Sequence, residues 1–312
     1  MPFQKIILVT RKTQLEELVE RHGTREQAAF LLQQRGQSID DIADAHHRYT
    51  TGLAQLKASV PSSIRLQLIE RSFLPNFLFG PSDLILTLGQ DGLVVNTAKY
   101  LSEQPIIAFN PDPSRIDGVL VPFKMEDAKD AIDAALNEVL DRKEVTMARA
   151  TLDDGQTLDA VNDLFVGIQG HASARYRLEF DNQAEEQSSS GVIISTGAGS
   201  TGWYRSIITG AFGVSSTIMK NKTLAEMKAN YRFDIDAREL RFSVREPFIS
   251  QTSGAELVYG RLEAGQQLEI ISRMPQRGIL FSDGMESDYL KFDNGMRATI
   301  AIAPRRVQLF WR

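Results

Sequence analysis

The strongest constraint in this sequence is a change of hydrophobic period near residue 145. Before it, short apolar runs alternate with helical faces. Lys5–Thr10, residues 62–70, Asp83–Leu88 and residues 105–109 read as strands. Between them, Leu15, Leu18 and Val19, then Ala28, Leu31 and Leu32, then Val94, Val95, Ala98 and Leu101, recur at helical spacing. Met125, Ala128, Ile132, Ala135, Leu136 and Val139 mark the clearest amphipathic helix. Strand–helix alternation of this kind predicts a parallel sheet with helices on its faces. After Glu144 the period drops to two: Ala174, Tyr176, Leu178 and Phe180 alternate with charged residues, as do Leu240, Phe242 and Val244. Leu268/Ile270 and Val307/Leu309 repeat the pattern. Turn signals Asp153-Asp154-Gly155, Glu263-Ala264-Gly265 and Asp293-Asn294-Gly295 separate such runs. The expected fold is therefore an α/β domain with a parallel sheet over residues 1–145 and a β-rich domain over 146–312.

Composition narrows the function classes. There is no cysteine, which removes disulfides, thiolate nucleophiles, iron–sulfur clusters and Cys-based zinc sites. No apolar run approaches the ~18 residues of a membrane helix, and the run at Lys5–Thr10 is too short for a leader's apolar core. A cytoplasmic protein without membrane contact is expected. A net charge of −5 gives no support to nucleic-acid binding. His46-His47 lie beside Asp40, Asp41 and Asp44, but adjacent side chains on a helix diverge, so a solvated helix is expected there. His22 and His171 stand alone.

Chemistry is concentrated in a few segments. Leu88-Gly89-Gln90-Asp91-Gly92-Leu93 sits where a strand ends and a helix begins, the edge at which α/β sheets bind ligands. Glycines there let backbone N–H groups approach a phosphate, and a helix N-terminus favours an anion. Asp91 repels phosphate, so it serves there as a base or a metal ligand; alternatively it is a helix cap. The apolar run from Gly191 to Ser195 leads into Thr196-Gly197-Ala198-Gly199-Ser200-Thr201-Gly202. The spacing fits G-x-G-x-x-G but not its usual context. It reads better as a small-residue loop admitting a nucleotide close to the backbone, or as a flexible loop. Asn162-Asp163 place two polar side chains in an apolar run, where each needs a partner from backbone or ligand. Asp283-Gly284 reads equally as a tight turn or a site element, and Arg115 with Asp117 as a loop after a strand.

In this order the segments resemble the NAD kinase family. The family's Gly-Gly-Asp-Gly-Thr turn, Asn-Glu pair, Thr-Pro-Thr-Gly-Ser-Thr-type loop and late Asp-Gly appear as Gly89-Gln90-Asp91-Gly92-Leu93, Asn162-Asp163, Thr196 to Thr201, and Asp283-Gly284. Residues 110–115 with Gly118, Ser189-Ser190-Gly191, Gly202-Trp203 and residues 243–247 resemble the mitochondrial-type branch and its bacterial relatives. The likeness spans roughly residues 80–290. It departs from the family at Gln90 (for Gly), Leu93 (for Thr), Asp163 (for Glu) and Ser190, where many members carry an acid.

The resemblance implies the NAD kinase/diacylglycerol kinase-like architecture. It also implies ATP-dependent phosphorylation of the adenosine-ribose 2′-OH of NAD, with Mg²⁺ or another divalent metal, in a homodimer or higher homo-oligomer. Asp91 would be the base, since a ribose hydroxyl is a poor nucleophile and a carboxylate can take its proton. Positioning and charge neutralisation would supply the rest. Gly89, Gln90 and Gly92 would border the nucleotide, Asn162 and Asp163 would hold ribose or base hydroxyls, and Ser190, Thr196, Gly197 and Gly199 would line the site. Ser200, Thr201, Gly202 and Ser206 would lie over the nucleotide, with Trp203 or Tyr204 stacking on a ring. Two other readings stand beside this one: a dinucleotide-binding relative without turnover, and a lipid kinase of the diacylglycerol type. The latter family's Gly-Thr-Gly-Asn-Asp segment is missing here.

Overall fold

The computed structural model describes residues 3–219 and 231–312. The chain forms two compact units, residues 1–143 with 308–312, and residues 144–307.

The first unit runs β1 (Lys5–Thr10), α1 (Gln14–His22), α2 (Arg25–Gln34), α3 (Asp40–Ser59), β2 (Arg65–Glu70), β3 (Asp83–Leu88), α4 (Asp91–Ala98), β4 (Ile106–Asn110), β5 (Phe123–Lys124), α5 (Ala128–Leu136) and the start of β6 (Arg142–Val145), whose last two residues count with the second unit. The sheet order is β2-β1-β3-β4, then the chain's last strand, then β6, with β5 also on β4. The pairs β1–β2, β1–β3 and β3–β4 are parallel. β3 and β4 are buried along their whole length, which is why they read as continuous apolar runs. One sheet face packs Ile6, Leu8, Leu84, Leu86, Leu88, Ile107 and Phe109 against α3 and α5. α5 supplies Ala128, Ala131, Ile132, Ala135 and Leu136; Val139 lies past its end, 75% exposed. α3 is no solvated helix throughout, because Tyr49, Gly52 and Leu56 are buried in this core. His46 Nδ1 and the Thr13 hydroxyl share a hydrogen bond at 2.8 Å.

The second unit contains β7 (Ala148–Leu152), β8 (Thr157–Ala160), β9 (Asp163–Ile168), β10 (Ala174–Phe180), β11 (Gln183–Ser189), β12 (Val192–Ser195), α6 (Trp203–Met219), β13 (Glu239–Val244), β14 (Tyr259–Glu263), β15 (Leu268–Ser272), β16 (Gly278–Ser282), β17 (Met285–Lys291) and β18 (Arg297–Ile302). They form two six-stranded sheets, ordered β11-β10-β15-β18-β7-β8 and β14-β13-β12-β9-β16-β17. The inner faces share one core. Leu164, Val166, Val192, Ile194, Phe242 and Leu280 of the second sheet meet Ala148, Ala150, Tyr176, Leu178, Ile270 and Ile300 of the first. Burying each such side chain contributes roughly 1.5–3 kcal/mol.

Two features depart from the sequence reading. β19 (Val307–Phe310) alternates like the antiparallel strands, yet Leu309 pairs in parallel with Ile106, and residues 308–312 belong to the first unit rather than the β-rich half. The helix α6 follows the small-residue loop without a polar face that would announce it: Val214, Ile218 and Met219 are exposed. Among the described residues no helix is long and apolar enough to cross a membrane.

Candidate functional site

In the first unit, β3 ends at Leu88 and the Gly89 N–H donates to Phe109 O at 3.0 Å, so the turn leaves the sheet between β3 and β4. Gln90 takes an extended conformation (φ −90°, ψ 168°) as the cap of α4, without a side-chain capping bond. Asp91 is therefore not the cap. It is the first helical residue, and its carboxylate reaches a different loop: Oδ2 accepts from Val119 N–H at 2.9 Å and Oδ1 from Leu120 N–H at 2.8 Å. That loop is shaped by Asn110, whose side chain donates to Ile116 O and accepts from Asp112 N–H. Gly118 turns it at φ 61°, where a Cβ would meet Val121 Cγ2 at 2.3 Å. Arg115 is tied to Asp41 at 3.0 Å. Gln90 and Gly92 are exposed, whereas Leu93 is buried against Gly89.

In the second unit the outer face of the β14–β17 sheet carries the polar residues. Period-two alternation puts Asp163, Ser195 and Arg241 side by side on it, followed by Phe165, Ile193 and Ser243. Asn162 is not in a strand with Asp163; it lies in the link between β8 and β9. Asp283 fixes that link. Its carboxylate accepts from the N–H groups of Val161 (3.1 Å), Asn162 (2.7 Å) and Asp163 (3.3 Å), and its own N–H donates to Asp163 O. Asp283 and Gly284 both have positive φ, 56° and 69°, as a tight two-residue hairpin turn requires. The residue is thus both turn and anchor. Asp163 is buried, and burial together with the Asp283 charge pushes its carboxyl up to about 7.

The loop from Thr196 is packed rather than flexible. Thr196 donates its N–H to Asn162 O and its hydroxyl to the carbonyls of Val161 and Asn162. Its glycines are required by the chain itself. A Cβ on Gly197 would lie 1.9 Å from Asp234 O, and one on Gly199 2.1 Å from Asn162 O. The Ser200 hydroxyl donates to Gly197 O at 2.7 Å, so it faces inward rather than offering itself to a ligand. Thr201 is partly buried and ends the short turn Gly199–Thr201; Gly202 and Ser206 are exposed.

Trp203 and Tyr204 open α6 and are engaged by the protein. The Trp203 ring stacks on Phe165 (centroids 5.5 Å, 12°), near Phe281, and the Arg245 guanidinium lies 5.0 Å from its centroid. Exposed Ser190 belongs to the same corner: its N–H donates to Arg245 O. Tyr204 is buried, meets Phe233 edge-on and donates to the Tyr259 hydroxyl at 3.4 Å. It lines a cavity of about 520 Å³ with Ile207, Arg241, Ser243 and Tyr259. Sequence reasoning missed Arg241 and Phe165, and took Arg245 only as part of the segment 243–247 that resembles the mitochondrial-type branch. Only the strand alternation at Arg241/Ser243/Arg245 hinted at a polar outer face.

Among the described residues no group of three or more His, Asp or Glu side chains could hold a metal ion. No family model matches the sequence, and no curated protein matches it. Solved structures do. Yeast NADH kinase, determined with NADH, superposes with a TM-score of 0.61 at 13% identity, covering 99% of this chain and 83% of that one. An NAD kinase from Archaeoglobus fulgidus, determined with ATP, gives 0.57 at 16% identity, covering 98% and 93%. An α/β unit followed by a β-rich unit, in this order and over almost the full length, is the two-domain fold of the NAD kinases.

Proposed function

We propose that this chain is an NAD kinase that transfers the terminal phosphoryl group of ATP to the adenosine-ribose 2′-OH of NAD. One observation carries the reading. Asp283 gathers Val161, Asn162 and Asp163, 120–122 residues away, and Thr196 closes on the same link. Three of the four segments that resemble the family thus meet in one polar corner, in a chain with the fold of NAD(H) kinases. Segments that matched by chance have no reason to converge.

In this reading Asp91 accepts the proton of the ribose hydroxyl. Each of its oxygens takes one backbone N–H and keeps a second lone pair, so the carboxylate is oriented but not used up. Dinucleotide recognition falls to Asn162, whose backbone is held on both sides, and to Asp163, which donates or accepts near pH 7. Trp203, braced by Phe165, offers a rigid ring for a base. A divalent ion would neutralise phosphate charge; with no cluster to hold it among the described residues, it is assigned to the triphosphate it arrives on. Assembly as a homodimer or larger homo-oligomer belongs to the same reading.

A second reading, a dinucleotide-binding protein without turnover, draws on one fact: both Asp91 oxygens already serve the 119–120 backbone. Incubation with NAD, ATP and Mg²⁺, followed by assay for NADP, separates the two. NADP formation supports the kinase. Thermal stabilisation by NAD with no ATP consumed supports the second reading and overturns the first.

A further inference from the structure

Arg11 follows β1 at the carboxyl edge of the parallel sheet in the first unit, the edge where open α/β sheets bind ligands. Its side chain lies against the Gly89 turn. A methyl group on Gly89 would sit 3.6 Å from Arg11 Nε and 3.3 Å from Leu93 Cδ2 of α4. The Nε atom is buried and has no hydrogen-bond partner. Its neighbour Lys12 is satisfied by Glu20 at 2.7 Å. Among the described residues no partner serves Arg11 Nε. Glu16 and Glu70 both act on Tyr49, whose ring centroid is 5.9 Å from the Arg11 guanidinium carbon. Yet Glu16 is spent on the Thr13 N–H and hydroxyl, and Glu70 on those of Ser72. The Tyr49 hydroxyl accepts from the Arg11 backbone N–H at 3.0 Å, which fixes where the side chain starts.

A buried guanidinium nitrogen without an acceptor is costly. We propose that Arg11 holds a phosphate group of the phosphoryl donor at the Gly89 turn; this rests on the kinase reading. The planar fork suits phosphate oxygens in a bidentate grip. The eight-residue helix α4 begins two residues beyond Gly89 and adds its positive end.

The test uses the full chain and two probes, inorganic tripolyphosphate and a non-hydrolysable ATP analogue, titrated calorimetrically. Arg11→Met should weaken both by ~10–100-fold, the range of a lost charge-assisted contact. Adenosine and NAD should bind as before, and the unliganded melting temperature should stay level or rise. Unchanged tripolyphosphate affinity in folded Arg11→Met overturns the proposal, as does an equal loss for adenosine. Should that variant fail to fold, Arg11→Lys decides: a drop of about five-fold or more supports the fork, and unchanged affinity overturns it. The two readings fail separately. Arg11-dependent tripolyphosphate binding in a protein that makes no NADP sinks the kinase and keeps the site. NADP formation with a KM for ATP indifferent to Arg11 does the reverse.

Discussion

Replacing Asp163 by asparagine should remove a pH-dependent weakness from the fold. Asp163 is 6% exposed, and its carboxyl is raised from 3.8 to about 7, first by burial and then by the charge of Asp283. The folded state therefore holds the Asp163 proton more tightly than the unfolded state. Between pH 4 and 7 the native protein binds more protons, so stability falls as pH rises. Below 3.8 both states are protonated and nothing is lost. Above 7 the full cost is present: a shift of about three pH units at 1.36 kcal/mol each is roughly 4 kcal/mol. Between pH 5 and pH 8 the share attributable to Asp163 is roughly 2–3 kcal/mol.

Asparagine is nearly the same shape and carries no charge at either pH. Its own packing cost or gain is the same at pH 5 and pH 8, so it cancels when the two are compared. The expected result is a melting-temperature difference, variant minus parent, that grows by roughly 5–10 °C from pH 5 to pH 8. Circular dichroism melts in matched ionic strength measure it. Parallel pH profiles for the two proteins would refute the reasoning, because Asp163 would then titrate at its ordinary value and would not be the carboxyl that yields to Asp283.

Asp91→Asn should lower kcat by ~100-fold or more if Asp91 is the base. It should also cost about 1–3 kcal/mol of stability, because an amide NH₂ then faces the N–H of Val119 or Leu120; normal turnover in the folded variant would end the base assignment. Gly199→Ala should abolish soluble expression or strongly lower the melting temperature, since its Cβ would meet the Asn162 carbonyl oxygen at 2.1 Å. Gly92→Ala is the counterpart: nothing lies within 4 Å of the added methyl group, so this helical position should gain up to ~1 kcal/mol. If Gly92 borders the dinucleotide, the same variant should bind NAD less tightly, and unchanged NAD affinity by calorimetry would remove Gly92 from the site.

How much of this was legible in the sequence differs by kind of signal. Continuous apolar runs announced β3 and β4 because both are buried on two faces. Alternation announced β10 and β13 because one face of each meets the shared core. The same rule misplaced β19, since period two records burial and says nothing of partner or direction. Gln90 stands where the family carries glycine, and its extended backbone and exposed side chain show that the chain itself makes no steric demand for glycine there. The loop at Thr196 was read as making room for a ligand. Its glycines also make room for the carbonyls of Asn162 and Asp234, a demand set by residues tens of positions away that no local pattern records.

The least legible element organises the second unit's candidate site. Asp283-Gly284 looks like any hairpin turn, and as a turn it would tolerate asparagine. What sets it apart is three N–H donors arriving from residues 161–163, a contact that exists only once β9 and β16 pair. Placing that carboxylate there raises the neighbouring Asp163 and holds Asn162 in its bend. A merely structural corner would gain by replacing Asp163 with a neutral residue. That a second acid stands beside the anchor, destabilising when ionised, is expected of a site arranged for a ligand rather than for the fold.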